Sequence, residues 1–377
     1  MASMLLALFV SIVLTMLIVR HASTRSRMAD YDLTGPQKFH VVPVPRVGGL
    51  GIVAGLIAAV AHQSLVDASY GNDLGLILMV CAIPAFAFGL AEDLTKQVSA
   101  RVRLLATAAS AVLAFWLLDA QLRHTAIPGL DLMVSFTIGA LVVTVFAVAG
   151  IANAMNIIDG FNGLASMCAM IMLAGLAYVS FQVGDPMIGT LAVAGIGAVL
   201  GFFIWNFPAG LVFLGDGGAY FLGFFIAELS VLLLVRNPEV SPLFPLLLCI
   251  YPVFETVFSM YRRRFLRQQP PSMPDGIHLH SLIYRRVMRW AVGPKTARAM
   301  ARRNSMTSPY LWLLCTSSVV PAVLFWRQTA VLVACLVAFA LAYIVLYWRI
   351  VRFKSPRWLR FGRSRALWPD ATREQEV

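Results

Sequence analysis

Long apolar runs alternate with short polar breaks along most of the chain. A helix needs roughly 20 apolar residues to cross the hydrocarbon core of a bilayer. Eleven runs meet or approach that length: 2–19, 47–65, 74–91, 102–118, 130–152, 164–183, 187–205, 219–235, 242–260, 309–326 and 328–348. The pattern predicts an all-α, polytopic integral membrane protein with about eleven transmembrane helices. Residues 1–348 then form a single transmembrane domain, and 349–377 a basic tail. The first run lacks a basic segment before it and an A-x-A site after it, so it reads as a retained span and not as a cleaved signal.

Composition agrees with this reading. Hydrophobic residues make up 59% and charged residues 13%, with a mean hydropathy of +0.79. Soluble domains lie near 45–50% and about 25%. The net charge of +12 adds direction. With the N-terminus outside, every Lys and Arg except Arg123, Arg236 and Arg327 falls on one side, in the loops 20–46, 92–103 and 261–307 or in the tail. Positive residues mark the cytoplasmic side, which puts the C-terminus there with the short breaks 153–163 and 206–218. The basic excess therefore reads as orientation and as attraction to an anionic leaflet or substrate, and no nucleic-acid partner is expected. The five cysteines (81, 168, 249, 315, 335) lie in apolar runs without C-x-x-C spacing, as small core residues do.

The polar breaks on that side carry the chemistry. In 153–165, NAMNIIDGFNGLA, Asn153, Asn156, Asp159 and Asn162 recur every three residues. On a helix this spacing points three amides and a carboxylate along one face; the plain alternative is an Asn-rich connector. Glu92 and Asp93 sit side by side with Lys96 nearby. Two such carboxylates repel each other at a membrane edge, and a divalent cation or cationic partner relieves the repulsion. Asp216 lies among Gly215, Gly217 and Gly218, a setting suited to a hard cation and to phosphate oxygens on backbone N–H groups. Lys38, His40 and Arg46 near the start of the second span are phosphate contacts or ordinary inside charges; Arg101 and Arg103 face phosphate or headgroups. After Arg262, Arg263 and Arg264 come His278 and His280, a weak zinc signal without a third ligand nearby. In so basic a loop the imidazoles read better as diphosphate or sugar contacts. Glu255 is placed to support the site, whereas Glu228 has no evident partner.

The order of these motifs closely resembles the polyprenyl-phosphate N-acetylhexosamine-1-phosphate transferase family. The Pro-Gly-Gly entry (43–49) is followed by the acidic pair with Lys (92–96), N-A-x-N-x-x-D-G-x-N-G-L-A (153–165), G-D-x-G-x-x-x-L-G-F (215–224) and H-x-H (278–280). The family includes the enzymes that start O-antigen and teichoic-acid lipid carriers, and it is related to phospho-N-acetylmuramoyl-pentapeptide transferase. The resemblance runs from about residue 36 to 290. It implies a catalytic domain in the bacterial inner membrane, a UDP-sugar and undecaprenyl phosphate as substrates, release of UMP, and Mg²⁺ (or Mn²⁺) as cofactor. It matches Glu92 and Asp93 to the family's acidic pair, Asp159 to its central Asp and Asp216 to its metal-binding Asp; these four are the expected catalytic residues, with Asp159 or the acidic pair completing the metal shell on Asp216. Substrate contacts fall to Lys38, Lys96, Asn153, Asn156, Asn162, Arg264, His278 and His280. Glu92 stands where the family usually has Asp, and Ser281 where many members have a further His. The pentapeptide branch carries three successive histidines, so their absence favours an N-acetylhexosamine donor. The rival classes are a transporter, which predicts midplane ionisable residues and an internal repeat, and a non-catalytic scaffold. A homodimer is compatible with all of these features.

Overall fold

The computed structural model describes residues 1–22, 29–30, 44–66, 74–266, 277–288 and 297–352. Apart from a two-residue antiparallel pairing (Ala29 with Pro45, Asp30 with Val44), the regular structure is helical. The helices are α1 Ala2–Ala22, α2 Gly49–Val66, α3 Leu74–Cys81, α4 Ile83–Thr95, α5 Ala100–Leu117, α6 Pro128–Val134, α7 Thr137–Ile158, α8 Leu164–Gln182, α9 Pro186–Asn206, α10 Gly215–Arg236, α11 Leu243–Leu248, α12 Ile250–Tyr261, α13 Leu279–Leu282, α14 Ala297–Leu324 and α15 Thr329–Val351. Among the described residues, nine are long and apolar enough to cross a membrane, and α3 with α4 forms a tenth candidate bent by 40°.

The all-α polytopic architecture is as expected, but the breaks in it are prolines that hydropathy does not weigh. Pro84 has no N–H for the carbonyl of Val80, and the run at 74–91 bends there. Pro252 likewise cannot bond Leu248, and the run at 242–260 is split at Cys249 into α11 and α12, each shorter than a span. Two helices run further into the polar breaks than expected. α7 continues to Ile158, not 152, because Asn153 and Asn156 face another helix, not water. α14 begins at Ala297, not 309, and its polar turn Asn304–Ser308 is buried against the loop after α7.

α10 is the centre of the bundle. Every residue from Gly217 to Leu233 is buried, which is what a helix apolar on all sides demands. α4, α7, α2 and α8 pack around it. At the periphery, α15 turns Val333, Val337, Leu341 and Val345 outward, the stripe of a lipid-facing span. α1 belongs to the bundle: Ser11 Oγ donates to the Ala198 carbonyl at 2.7 Å.

The end of α10 away from Asp216 is fastened by Asp185. That carboxylate accepts from Arg236 Nε (2.6 Å), from Asn237 Nδ2 (3.2 Å) and from the Ile188 amide at the start of α9 (3.3 Å). Desolvation opposes its charge, but the bonds from Arg236 and Asn237 outweigh that and hold it below the usual carboxylate range. Replacing Asp185 with Ala removes a helix cap and a three-donor hub. It is expected to lower stability by about 1–2 kcal/mol, read as a fall in the thermal midpoint in detergent with turnover at low temperature retained.

Candidate active site

The site forms where the entry to α2, the end of α4 and the start of α10 meet. Pro45 to Gly49 runs beside residues 213 and 214: the Phe213 amide donates to the Pro45 carbonyl (2.8 Å), Gly48 to Phe213 (3.0 Å) and Gly49 to Leu214 (2.9 Å). Gly215 then turns with φ +77°, and a Cβ there would lie 1.9 Å from the Arg46 carbonyl and 2.5 Å from Asp93 Oδ2. The turn therefore requires glycine both for its backbone and for its space.

Asp93, 3% exposed, closes the start of α10 from a different helix. Its Oδ1 accepts from the Asp216 amide and its Oδ2 from the Gly217 amide, both at 2.9 Å. The first amides of a helix have no partner within it and favour a negative charge. Asp93 supplies both needs and fixes the backbone that carries Asp216.

The Asp216 side chain is held by opposite charge and by an amide. Arg103 pairs with its Oδ2, and Asn156 Nδ2 donates to its Oδ1 at 2.8 Å. Arg46 lies between carboxylates, with Nη2 3.7 Å from Asp216 Oδ1 and Nε 4.0 Å from Asp93 Oδ1. Asn153, one turn before Asn156, accepts from Tyr220 at 3.2 Å. Asp159 sits just past the end of α7. Burial pushes its carboxyl up to about 7, and Arg46 opposes that rise. Asp159 also acts on Asp93 by repulsion. Asp93 and Asp216 thus share one guanidinium, whose charge also acts on Asp159.

Carboxylate oxygens are hard donors, and Mg²⁺ is commonly held by one or two of them with phosphate and water completing its shell. Asp216 and Asp159 fit that demand. Among the described residues no group of three or more His, Cys, Asp or Glu is placed to hold a metal ion.

The histidine loop covers the same region. A Cβ on Gly160 would lie 3.4 Å from His280 Nε2. The His280 ring meets Phe161 edge-on at 5.4 Å and stacks on His278 at 5.1 Å. His278 Nδ1 is 2.9 Å from Glu255 Oε1. Arg264, just past the end of α12, is exposed.

Comparison with known proteins follows the same residues. Residues 75–234, which carry Asp93, Asp159 and Asp216, match the profile of glycosyl transferase family 4. A Bacillus subtilis protein described as a probable undecaprenyl-phosphate N-acetylglucosaminyl 1-phosphate transferase is 32% identical over 277 residues, covering 72% of this chain and 75% of that protein. The chain belongs to glycosyl transferase family 4. Other relatives in this family include the undecaprenyl-phosphate alpha-N-acetylglucosaminyl 1-phosphate transferase of Thermotoga maritima, 30% identical with 69% of this chain and 74% of that protein covered. A phospho-N-acetylmuramoyl-pentapeptide-transferase of Staphylococcus carnosus is 30% identical, covering 56% and 68%.

Within this family 4 membrane transferase, not every expected residue reaches the acid cluster. Glu92 accepts from the Val98 amide at 2.7 Å and closes the turn after α4. Lys96, exposed and with φ 59°, forms that turn, from which its charge acts on Asp93. Asn162 is 5% exposed and ties its loop to α14: its amide donates to Asn304 Oδ1 (2.9 Å) and its carbonyl accepts from Ser308 (2.6 Å). α7 has ended before Asn162, so the three-residue step no longer keeps it on that face. Lys38 and His40 lie outside the described residues. Sequence reading passed over Tyr220, although it stands four residues after Asp216 on the same helix, and over Asn206, whose Oδ1 accepts from the Gly163 amide at 2.6 Å.

Proposed function

We propose that the chain transfers an N-acetylhexosamine 1-phosphate from a UDP-sugar to undecaprenyl phosphate at the cytoplasmic face of a bacterial inner membrane. The observation that carries this reading is the meeting of Asp93 and Asp216 with Arg46, and of Asp216 with Arg103, at one end of α10. An oxygen of the lipid phosphate attacks the sugar-bearing phosphorus of the donor. The diphosphate bridge breaks, and UMP leaves with the bridging oxygen. One anhydride replaces another, so catalysis lies in aligning two anions and neutralising them.

Arg46 and Arg103 are set to meet phosphate oxygens once these compete for them with Asp216. Asp216 and Asp159 would hold Mg²⁺, which neutralises the donor diphosphate when bound. Asp93 keeps Asp216 in place; both its oxygens already serve backbone amides. A strong base is not required, because a phosphate monoester with a second pKa of about 6 is largely dianionic at neutral pH. His278 and His280, with Arg264 and Lys96 near the rim, would contact the donor phosphates and sugar.

The names of the Bacillus and Thermotoga relatives support an N-acetylglucosamine donor. The Staphylococcus relative raises the pentapeptide donor, against which stands the lack of three successive histidines in His278-Leu279-His280-Ser281. Purified protein with UDP-N-acetylglucosamine and undecaprenyl phosphate is expected to release UMP and form a lipid diphosphate sugar. EDTA should stop the reaction and Mg²⁺ restore it. Release of UDP, or turnover with UDP-N-acetylmuramoyl-pentapeptide only, would sink this assignment.

A further inference from the structure

Glu255 lies on α12, beyond the stretch that matches the family profile, and is 1% exposed. A buried carboxylate is costly unless donors surround it, and here three do. Its Oε1 accepts from His278 Nδ1 (2.9 Å) and from the Leu279 amide (3.2 Å), and its Oε2 accepts from the Tyr343 hydroxyl on α15. The neighbouring Arg262 donates to the Ile277 carbonyl at 2.7 Å and to the Tyr347 hydroxyl, and its guanidinium lies 5.2 Å over the Tyr347 ring. Residues 277–279 are therefore held from α12 on one side and from α15 on the other.

An ionised carboxylate only accepts, so Nδ1 of His278 must carry the proton in this bond. That fixes the ring's tautomer and its plane. The plane is passed on by stacking: His280 lies 5.1 Å away at 16°, and its Nε2 reaches Gly160 beside Asp159. A line of contacts thus leads from Tyr343 through Glu255 and His278 to His280, which lies beside Gly160, the residue after Asp159.

We propose that Glu255, backed by Tyr343, is a positioning residue that sets the tautomer and orientation of His278, so that its Nε2 accepts a hydrogen bond from a hydroxyl or N–H of the UDP-sugar. This rests on the functional reading above. A carboxylate behind a metal-bound histidine typically matters by roughly 10–100-fold when lost, and a loss on that scale is expected here. If Glu255 merely filled space, its isosteric amide would serve as well.

The test uses the full-length protein and UMP release from UDP-N-acetylglucosamine and undecaprenyl phosphate. Glu255→Gln is expected to lower kcat/KM for the UDP-sugar by roughly 10–100-fold, with KM for undecaprenyl phosphate and the thermal midpoint little changed. Because Glu255 acts through His278, the double variant Glu255→Gln/His278→Gln should be no worse than His278→Gln alone. Losses that multiply, or a Gln variant as active as the parent, would overturn the proposal. Tyr343→Phe, which leaves the carboxylate in place, provides a milder second variant and should reduce kcat/KM in the same direction; no change would count against α15 having a part. A readout independent of turnover separates this inference from the functional reading. In ¹⁵N-histidine spectra the resonance lost in His278→Gln should report a protonated Nδ1 in the parent and shift toward the other tautomer in Glu255→Gln. An unchanged tautomer would overturn the proposal even if the substrate were a different one.

Discussion

Asp216→Asn is expected to reduce turnover by on the order of 10³ or more while the protein stays folded. The charge of this one carboxylate answers Arg103 on one oxygen, and Arg46 with Asn156 on the other. Asn keeps the shape but cannot accept on both sides, since its amide nitrogen would point a donor at a donor. It also removes an anionic ligand from the place proposed for a divalent cation. Removing a single preorganised electrostatic contact at a reacting centre costs roughly 10²–10³ in kcat; here the substitution also leaves two guanidiniums unbalanced. The backbone should hold, because the Asp216 amide is capped by Asp93 whatever the side chain is. The measurement is UMP release beside the thermal midpoint and the elution profile in detergent. Retained activity would reject the assignment of Asp216, and an unfolded variant would show instead that its charge pairing is structural.

The fold class was legible because membrane insertion imposes a coarse rule, roughly 20 apolar residues per crossing, that hydropathy reads directly. The same measure mislocates helix ends wherever polar side chains find partners inside the bundle. The apolar run stops at Ala152, yet Asn153 and Asn156 continue α7 because Tyr220 and Asp216 receive them. Asn304, Ser305 and Ser308 read as loop, yet they extend α14 because the 162 loop needs donors and acceptors. The acids themselves stood out in the sequence, since carboxylates are rare in so apolar a chain. Their partners were less distinct. Arg46 read equally as a phosphate contact or an ordinary inside charge and Arg103 as facing phosphate or headgroups, and only the meeting of α2, α5 and α10 shows them on the acids. Glu92 shows the reverse case. Adjacent residues on a helix face different ways, so of the acidic pair Asp93 turns to α10 and Glu92 to its own turn.

Gly215→Ala should abolish activity by as much as Asp216→Asn, although it removes no functional group. Two costs meet at this position. A φ of +77° is a conformation that an L side chain resists, and the new methyl would stand 1.9 Å from the Arg46 carbonyl and 2.5 Å from Asp93 Oδ2. Neither neighbour is a flexible chain end. The carbonyl belongs to the segment paired with Phe213 and Leu214, and Asp93 is bonded to the amides of Asp216 and Gly217. Relief therefore moves Arg46, Asp93 and Asp216 together, and a displacement of about 1 Å at a reacting centre is enough for a 10²-fold loss. The expected result is loss of UMP release together with a lower thermal midpoint. Gly150→Ala is the comparison: it lies within α7, and its added Cβ would meet nothing within 4 Å. Ala there should leave activity intact and raise stability by about 0.5–1 kcal/mol. If Gly215→Ala behaved like Gly150→Ala, the close packing of the α10 turn against Arg46 and Asp93 would not be what organises the acids.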